Sequence, residues 1–196
     1  MAIPLGVGVW VVTFAWQPLN FWVLMTVGVG GLGALAVGIR GPFPLKEGAR
    51  WDDLLLGAAA SAVLYALFAV GRVVAGHVLP FAASQIGAAY AIRTQAPLWA
   101  IALALVLVIA PGEEFFWRGL VQWGLIQCLG PGRGWVGAAL LYGLVHVAAA
   151  NAMLVIAATA AGAFWGGLYL RVGRIAPVVV SHILWDLAVF LLLPLR

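Results

Sequence analysis

The chain has 196 residues, of which 65% are hydrophobic and 8% charged. A soluble domain carries about 25% charged residues, so a water-soluble fold is excluded and lipid must be the solvent for most of the chain. Ten Lys and Arg against six Asp and Glu leave a net charge of +4, but the cations sit between apolar runs rather than in a patch with interleaved aromatics, which argues against a nucleic-acid partner.

A bilayer core about 30 Å thick needs about 20 apolar residues per spanning helix. Residues 5–16 are apolar but short, and Gln17-Pro18 ends them. This segment reads as a half-helix, an interfacial piece or a tilted first span. It lacks the basic start and small-residue cleavage site of a signal peptide, so it is expected to be retained. Residues 20–39 form a clear span ending at Arg40. The loop from Arg40 to Asp53 carries Pro42, Pro44, Lys46, Glu47, Arg50 and Asp52, the densest charge in the chain. A second long span covers 54–79, and 81–96 reads as an external loop or surface helix carrying Arg93.

The apolar stretch 97–128 would reach about 48 Å as one helix at about 1.5 Å per residue, too long for a straight span. Pro111-Gly112 is expected to break it, because proline lacks a backbone donor and clashes with the preceding turn. Segments 135–150, 152–171 and 176–194 complete the set, with the short links Gly130–Gly134 and Arg171–Ala176 implying antiparallel neighbours. The expectation is an all-α, polytopic transmembrane bundle of about six to seven helices, forming a single membrane domain over 1–196. Placing the 40–53 loop in the cytoplasm puts Arg40, Lys46, Arg50, Arg133, Arg171 and Arg174 inside, and Arg93 and Arg196 outside. Gly28, Gly30, Gly33, Gly162, Gly166 and Gly167 offer close helix approach. The ten tryptophans suit interfacial belts. The single cysteine, Cys128, allows no disulfide within the chain. The Ala/Gly/Val/Arg bias with one lysine points to a bacterial source, and hence to the inner (cytoplasmic) membrane.

A charged group at mid-bilayer costs several kcal/mol, so it is rarely kept there without a partner or a role. Six ionisable residues in the C-terminal half break that economy together: Glu113, Glu114, Arg118, His146, His182 and Asp186. Glu113 and Glu114 follow Pro111-Gly112, at an expected helix start, where the dipole favours carboxylates. Glu114 and Arg118 lie four apart and can pair. His182 and Asp186 lie four apart, so the carboxylate can reach the ring and fix its tautomer. His146 lies on the 135–150 helix, four residues after Tyr142. Lipid penalises any of these faces turned outward, so three helices are expected to aim them at one another and at trapped water.

Two chemistries fit these residue types. One glutamate, held ionised by Arg118, leaves its neighbour free to act as base and then acid on water, while histidines donate to an oxyanion. Alternatively Glu113, His146 and His182 supply the ligand count of a catalytic Zn2+ with an open water position. A non-enzymatic membrane immunity or sorting-partner protein, or a proton-coupled transporter, would use the same cluster for binding or relay; the paired halves with interrupted helices seen in many transporters are missing.

At these residues the sequence resembles the CPBP family of intramembrane proteases, also called Abi or CAAX-protease-like. Its first motif, Glu-Glu-x-x-x-Arg, reads Glu113-Glu114-Phe115-Phe116-Trp117-Arg118. Its second, Phe-x-x-x-His, reads Tyr142-Gly143-Leu144-Val145-His146, with tyrosine for phenylalanine. Its third, His-x-x-x-Asn/Asp, reads His182-Ile183-Leu184-Trp185-Asp186. The resemblance covers about residues 97–194 and implies peptide-bond hydrolysis in the membrane. It implies Glu113 as base, Glu114 and Arg118 as its paired neighbours, His146 and His182 as binders of water or the oxyanion, and Asp186 as orienter of His182. It implies a membrane-embedded or membrane-anchored peptide or protein as substrate, by CAAX-type, peptide-maturation or C-terminal anchor processing. The family is often labelled metalloprotease, while a metal-free glutamate mechanism is argued for relatives.

Overall fold

The structure, a computed structural model, describes residues 2–43 and 51–195. Pro44, Lys46, Glu47, Arg50 and Arg196, which enter the charge reading above, lie outside the described residues. Among the described residues every regular element is helical. In chain order they are α1 (Ala2–Trp16), α2 (Phe21–Arg40), α3 (Trp51–Val78), α4 (Ala82–Ala91, followed by a 3-10 turn Ile92–Gln95), α5 (Leu98–Leu129), α6 (Pro131–Val145, followed by a 3-10 turn His146–Ala149), α7 (Ala152–Val172) and α8 (Ala176–Leu192). Helices α2, α3, α5 and α7 are long and apolar enough to cross a membrane. Their outward faces carry Val27, Leu55, Val70, Leu107 and Ile156 exposed, which lipid tolerates and water does not. The chain is a multi-pass membrane protein with an all-α fold.

Local chemistry sets the boundaries. Asn20 and Asn151 cap α2 and α7, their side chains accepting from Trp22 N and Leu154 N. Gly130, at φ +81°, is the whole link between α5 and α6. Pro131 then starts α6 directly, since proline at the first helical position loses no needed donor. The helix expected over 135–150 therefore begins four residues earlier. It also ends at Val145, so His146 opens the following 3-10 turn instead of lying inside the helix.

The expected break at Pro111-Gly112 does not occur. Helix α5 runs unbroken from Leu98 to Leu129. Two widened turns, Leu105–Ile109 and Phe115–Gln122, flank the proline, and the N–H of Ala110 reaches back five residues to Leu105 O. A π-type turn shifts the hydrogen-bond register, and so accommodates a missing donor and a bulky ring without ending the helix. Glu113 and Glu114 consequently sit mid-helix, and the helix-start dipole argument for them fails.

The core has two parts. Trp10, Val29, Ile101, Phe116, Trp117 and Tyr142 join α1, α2, α5 and α6, while Leu64, Ala161, Trp165 and Val178 join α3, α7 and α8. Gly33 of α2 meets Gly112 of α5 backbone to backbone: a Cβ on Gly33 would lie 2.9 Å from Gly112 Cα. This contact brings α2 against α5 immediately before Glu113. Arg40, Arg133, Arg171 and Arg174 gather at one end of the bundle by their places at helix ends, and Arg93 lies at the other. At the first end Arg174 bonds Asp53 Oδ1 at 2.6 and 2.9 Å, and Arg40 lies 3.6 Å over the Trp123 ring.

Candidate active site

The polar residues of α5, α6 and α8 converge inside the bundle. Glu114 is fully buried, and its Oε1 accepts from Arg118 at 2.9 Å and from His182 Nδ1 at 2.6 Å. Arg118 is itself 2% exposed. Its guanidinium lies 4.8 Å over the Tyr142 ring and 5.4 Å over the Trp165 ring. A buried ion pair holds only where its geometry and extra hydrogen bonds offset desolvation; here an imidazole and two aromatic faces support it, while Glu114 Oε2 is buried with no hydrogen-bond partner among the described residues.

Glu113 lies in different surroundings. Its Oε2 accepts from the Tyr142 hydroxyl at 2.5 Å, and its Oε1 receives no hydrogen bond from any described residue. Glu113, Tyr142, His146, Trp165, His182 and Asp186 line one cavity of about 560 Å3. Glu114 and Arg118 do not reach it. The six predicted residues thus divide: four on the cavity wall and two behind it.

His182 is fixed from three sides. Trp165 stacks on its ring at 3.8 Å, with planes 24° apart, and Trp165 is tied in turn to Ser181 Oγ at 3.2 Å. Nδ1 donates to Glu114, while Asp186 Oδ2 stands 3.5 Å from Nε2, longer than an ordinary hydrogen bond. Glu114, 68 positions away in sequence, therefore orients the ring more closely than the neighbour at i+4.

His146 has both ring nitrogens engaged. Nδ1 donates to Tyr142 O at 2.7 Å, and Nε2 accepts from the Trp10 indole at 3.2 Å. Those two contacts set the Nδ1–H tautomer and leave no N–H for an oxyanion. Trp10 and Phe14 pack on this ring from α1, with centroids 5.7 and 5.6 Å away. Trp10, Tyr142 and Trp165 are site residues that the spacing of charges does not reveal. Tyr142 has a visible signal, a hydroxyl at a motif position where the family pattern has phenylalanine, whereas Trp10 has none.

Among the described residues no group of three or more His, Cys, Asp or Glu is disposed to hold a metal. His146 offers no free nitrogen, and His182 has a carboxylate at each nitrogen. The set Glu113, His146 and His182 does not fit a zinc ion in this arrangement.

Residues 94–188 match the family model described as type II CAAX prenyl endopeptidase Rce1-like. Over these residues the chain is similar to the Rce1-like, CAAX-protease-like family. No curated protein and no solved structure matches the chain. The Rce1-like segment spans α5, α6 and α7 and most of α8, and so contains all six predicted site residues and Tyr142. Trp10, Phe14 and the α3 wall of the cavity come from outside it.

Proposed function

We propose that the chain is an intramembrane endopeptidase that hydrolyses a peptide bond of a membrane-associated substrate with water activated by Glu113. One observation carries this reading. Two adjacent glutamates on one helix have opposite surroundings: Glu114 is committed to Arg118 and His182, and Glu113 stands on the cavity wall. A carboxylate locked by two cationic or donor groups is a poor proton carrier, and its less encumbered neighbour is a good one.

In this reading Glu113 takes a proton from water, and the hydroxide adds to the scissile carbonyl carbon. Protonated Nε2 of His182 donates to the tetrahedral oxyanion, with Glu114 and Trp165 holding the ring in place. Glu113 then passes its proton to the departing amine, and the C–N bond breaks. Asp186 steadies His182 from the Nε2 side. His146, its N–H spent on Tyr142, shapes the wall beside the base. The largely apolar cavity suits a substrate held by a lipid anchor or a membrane segment, as in CAAX-type processing or removal of a C-terminal anchor or sorting signal. The unit is the single domain 1–196, with its catalytic core at 97–194. Its membrane is the bacterial cytoplasmic membrane, with the arginine-rich end inside.

The test is cleavage of a membrane-anchored reporter in liposomes. Wild-type protein cuts it, and Glu113→Ala inserts normally but loses about 10²–10⁴-fold in rate. Full cleavage by Glu113→Ala rejects the assignment. No cleavage of anchored substrates by the wild type favours a non-enzymatic binding protein.

A further inference from the structure

Tyr142 links both halves of the candidate site. Its hydroxyl donates to Glu113 Oε2, and its backbone carbonyl accepts from His146 Nδ1. The ring that carries the hydroxyl is buried and clamped. Trp117 and His146 meet it edge-on at 5.3 and 5.1 Å, and the Arg118 guanidinium lies over its face. On the α7 side, a Cβ at Gly162 would come 2.9 Å from Tyr142 Cδ1, so the glycine leaves room for the ring. A phenol held this firmly directs its O–H along one line, and that line ends on Glu113.

We propose that Tyr142 is the positioning residue of the Glu113 base: its hydroxyl occupies Oε2, fixes the plane of the carboxylate and leaves Oε1 as the oxygen that meets water. Oε1 accepts no hydrogen bond from any described residue and is not among the atoms sealed inside the protein, while Glu113 lines the cavity. A carboxylate without this contact rotates about its last torsion, since terminal sp3–sp2 torsions have broad wells. It then presents either oxygen, or neither, at the attack angle. Holding a reacting group to within a fraction of an ångström is a recognised source of rate. The proposal rests on the protease reading above and adds to it which oxygen of Glu113 works and what aims it.

The test is Tyr142→Phe, which keeps the ring and deletes one oxygen. The expected result is a fall in kcat of about 10- to 100-fold, the worth of a hydrogen bond to a charged group, with KM and thermal stability near wild type. Infrared difference spectra between wild type and Tyr142→Phe should show a shifted carboxyl band, and the band should be absent when the comparison is repeated in a Glu113→Gln background. Unchanged kcat with an unchanged carboxyl band overturns the proposal while leaving the protease reading intact. A parallel loss of stability and of both kinetic constants assigns Tyr142 to packing and overturns it equally. If the wild type cleaves nothing, the protease reading fails, and this proposal fails with it.

Discussion

Helices α5–α8 and helices α1–α4 use the same apolar alphabet to different ends. The first group buries Glu113, Glu114, Arg118, His146, His182 and Asp186 together. The second leaves α3 exposed along much of its length, with Val63, Val70, Val73 and Val74 facing outward. Its contributions to the site are walls and supports: all four of its helices line the cavity, Trp10 and Phe14 pack on His146, and Gly33 meets Gly112. Buried polarity needs partners on several neighbouring helices, so it concentrates where helices are surrounded by helices. The N-terminal half shapes and steadies a site whose chemistry it does not supply.

Arg118→Ala should break this division most severely. It leaves the buried Glu114 carboxylate with His182 alone, and losing one partner of a buried pair costs about 3–5 kcal/mol. The detergent-solubilised protein should unfold at markedly lower temperature, and an unchanged Tm would show that the pair is not the brace described here. Gly33→Ala probes the seam between the halves. Its methyl group must push α2 from the backbone of Gly112, at about 1–3 kcal/mol by the scale of overpacked cores. Cleavage should fall along with stability, because Glu113 follows directly; stability loss with full activity would uncouple the seam from the site. Trp10→Phe is the mildest. It keeps an aromatic ring and removes the indole donor, worth about 1 kcal/mol. A several-fold drop in kcat is expected, with a fall in Tm from the core space the smaller ring leaves, and wild-type kinetics would reduce α1 to a packing element.

The charge economy of a membrane chain makes much of this legible from sequence. Glu114–Arg118 pairs as i,i+4 spacing predicts, and α2, α3 and α7 lie close to the runs of apolar residues. What escapes is hydrogen-bond register and long-range contact. Pro111 reads as a break because residue identity does not show that turns before and after it widen to i→i+5 bonding. Spacing assigns the orientation of His182 to Asp186, yet Glu114 arrives from another helix and sits closer. The donor count that suggests zinc is also blind to geometry: both nitrogens of His146 are taken, one by an indole 136 positions away. Tyr142 lies between these cases, visible as a departure from a motif but without meaning until its hydroxyl is seen on Glu113.

The most direct measurement compares Glu113→Gln with Glu114→Gln, scoring single-turnover cleavage and Tm in the same preparations. The two substitutions are isosteric and adjacent, so they differ only in surroundings. The account predicts that Glu113→Gln abolishes cleavage at near wild-type Tm, whereas Glu114→Gln lowers Tm by weakening its bonds to Arg118 and His182. Cleavage persisting in Glu113→Gln, with a stable and inactive Glu114→Gln, would reverse the assignment of base and brace and contradict it.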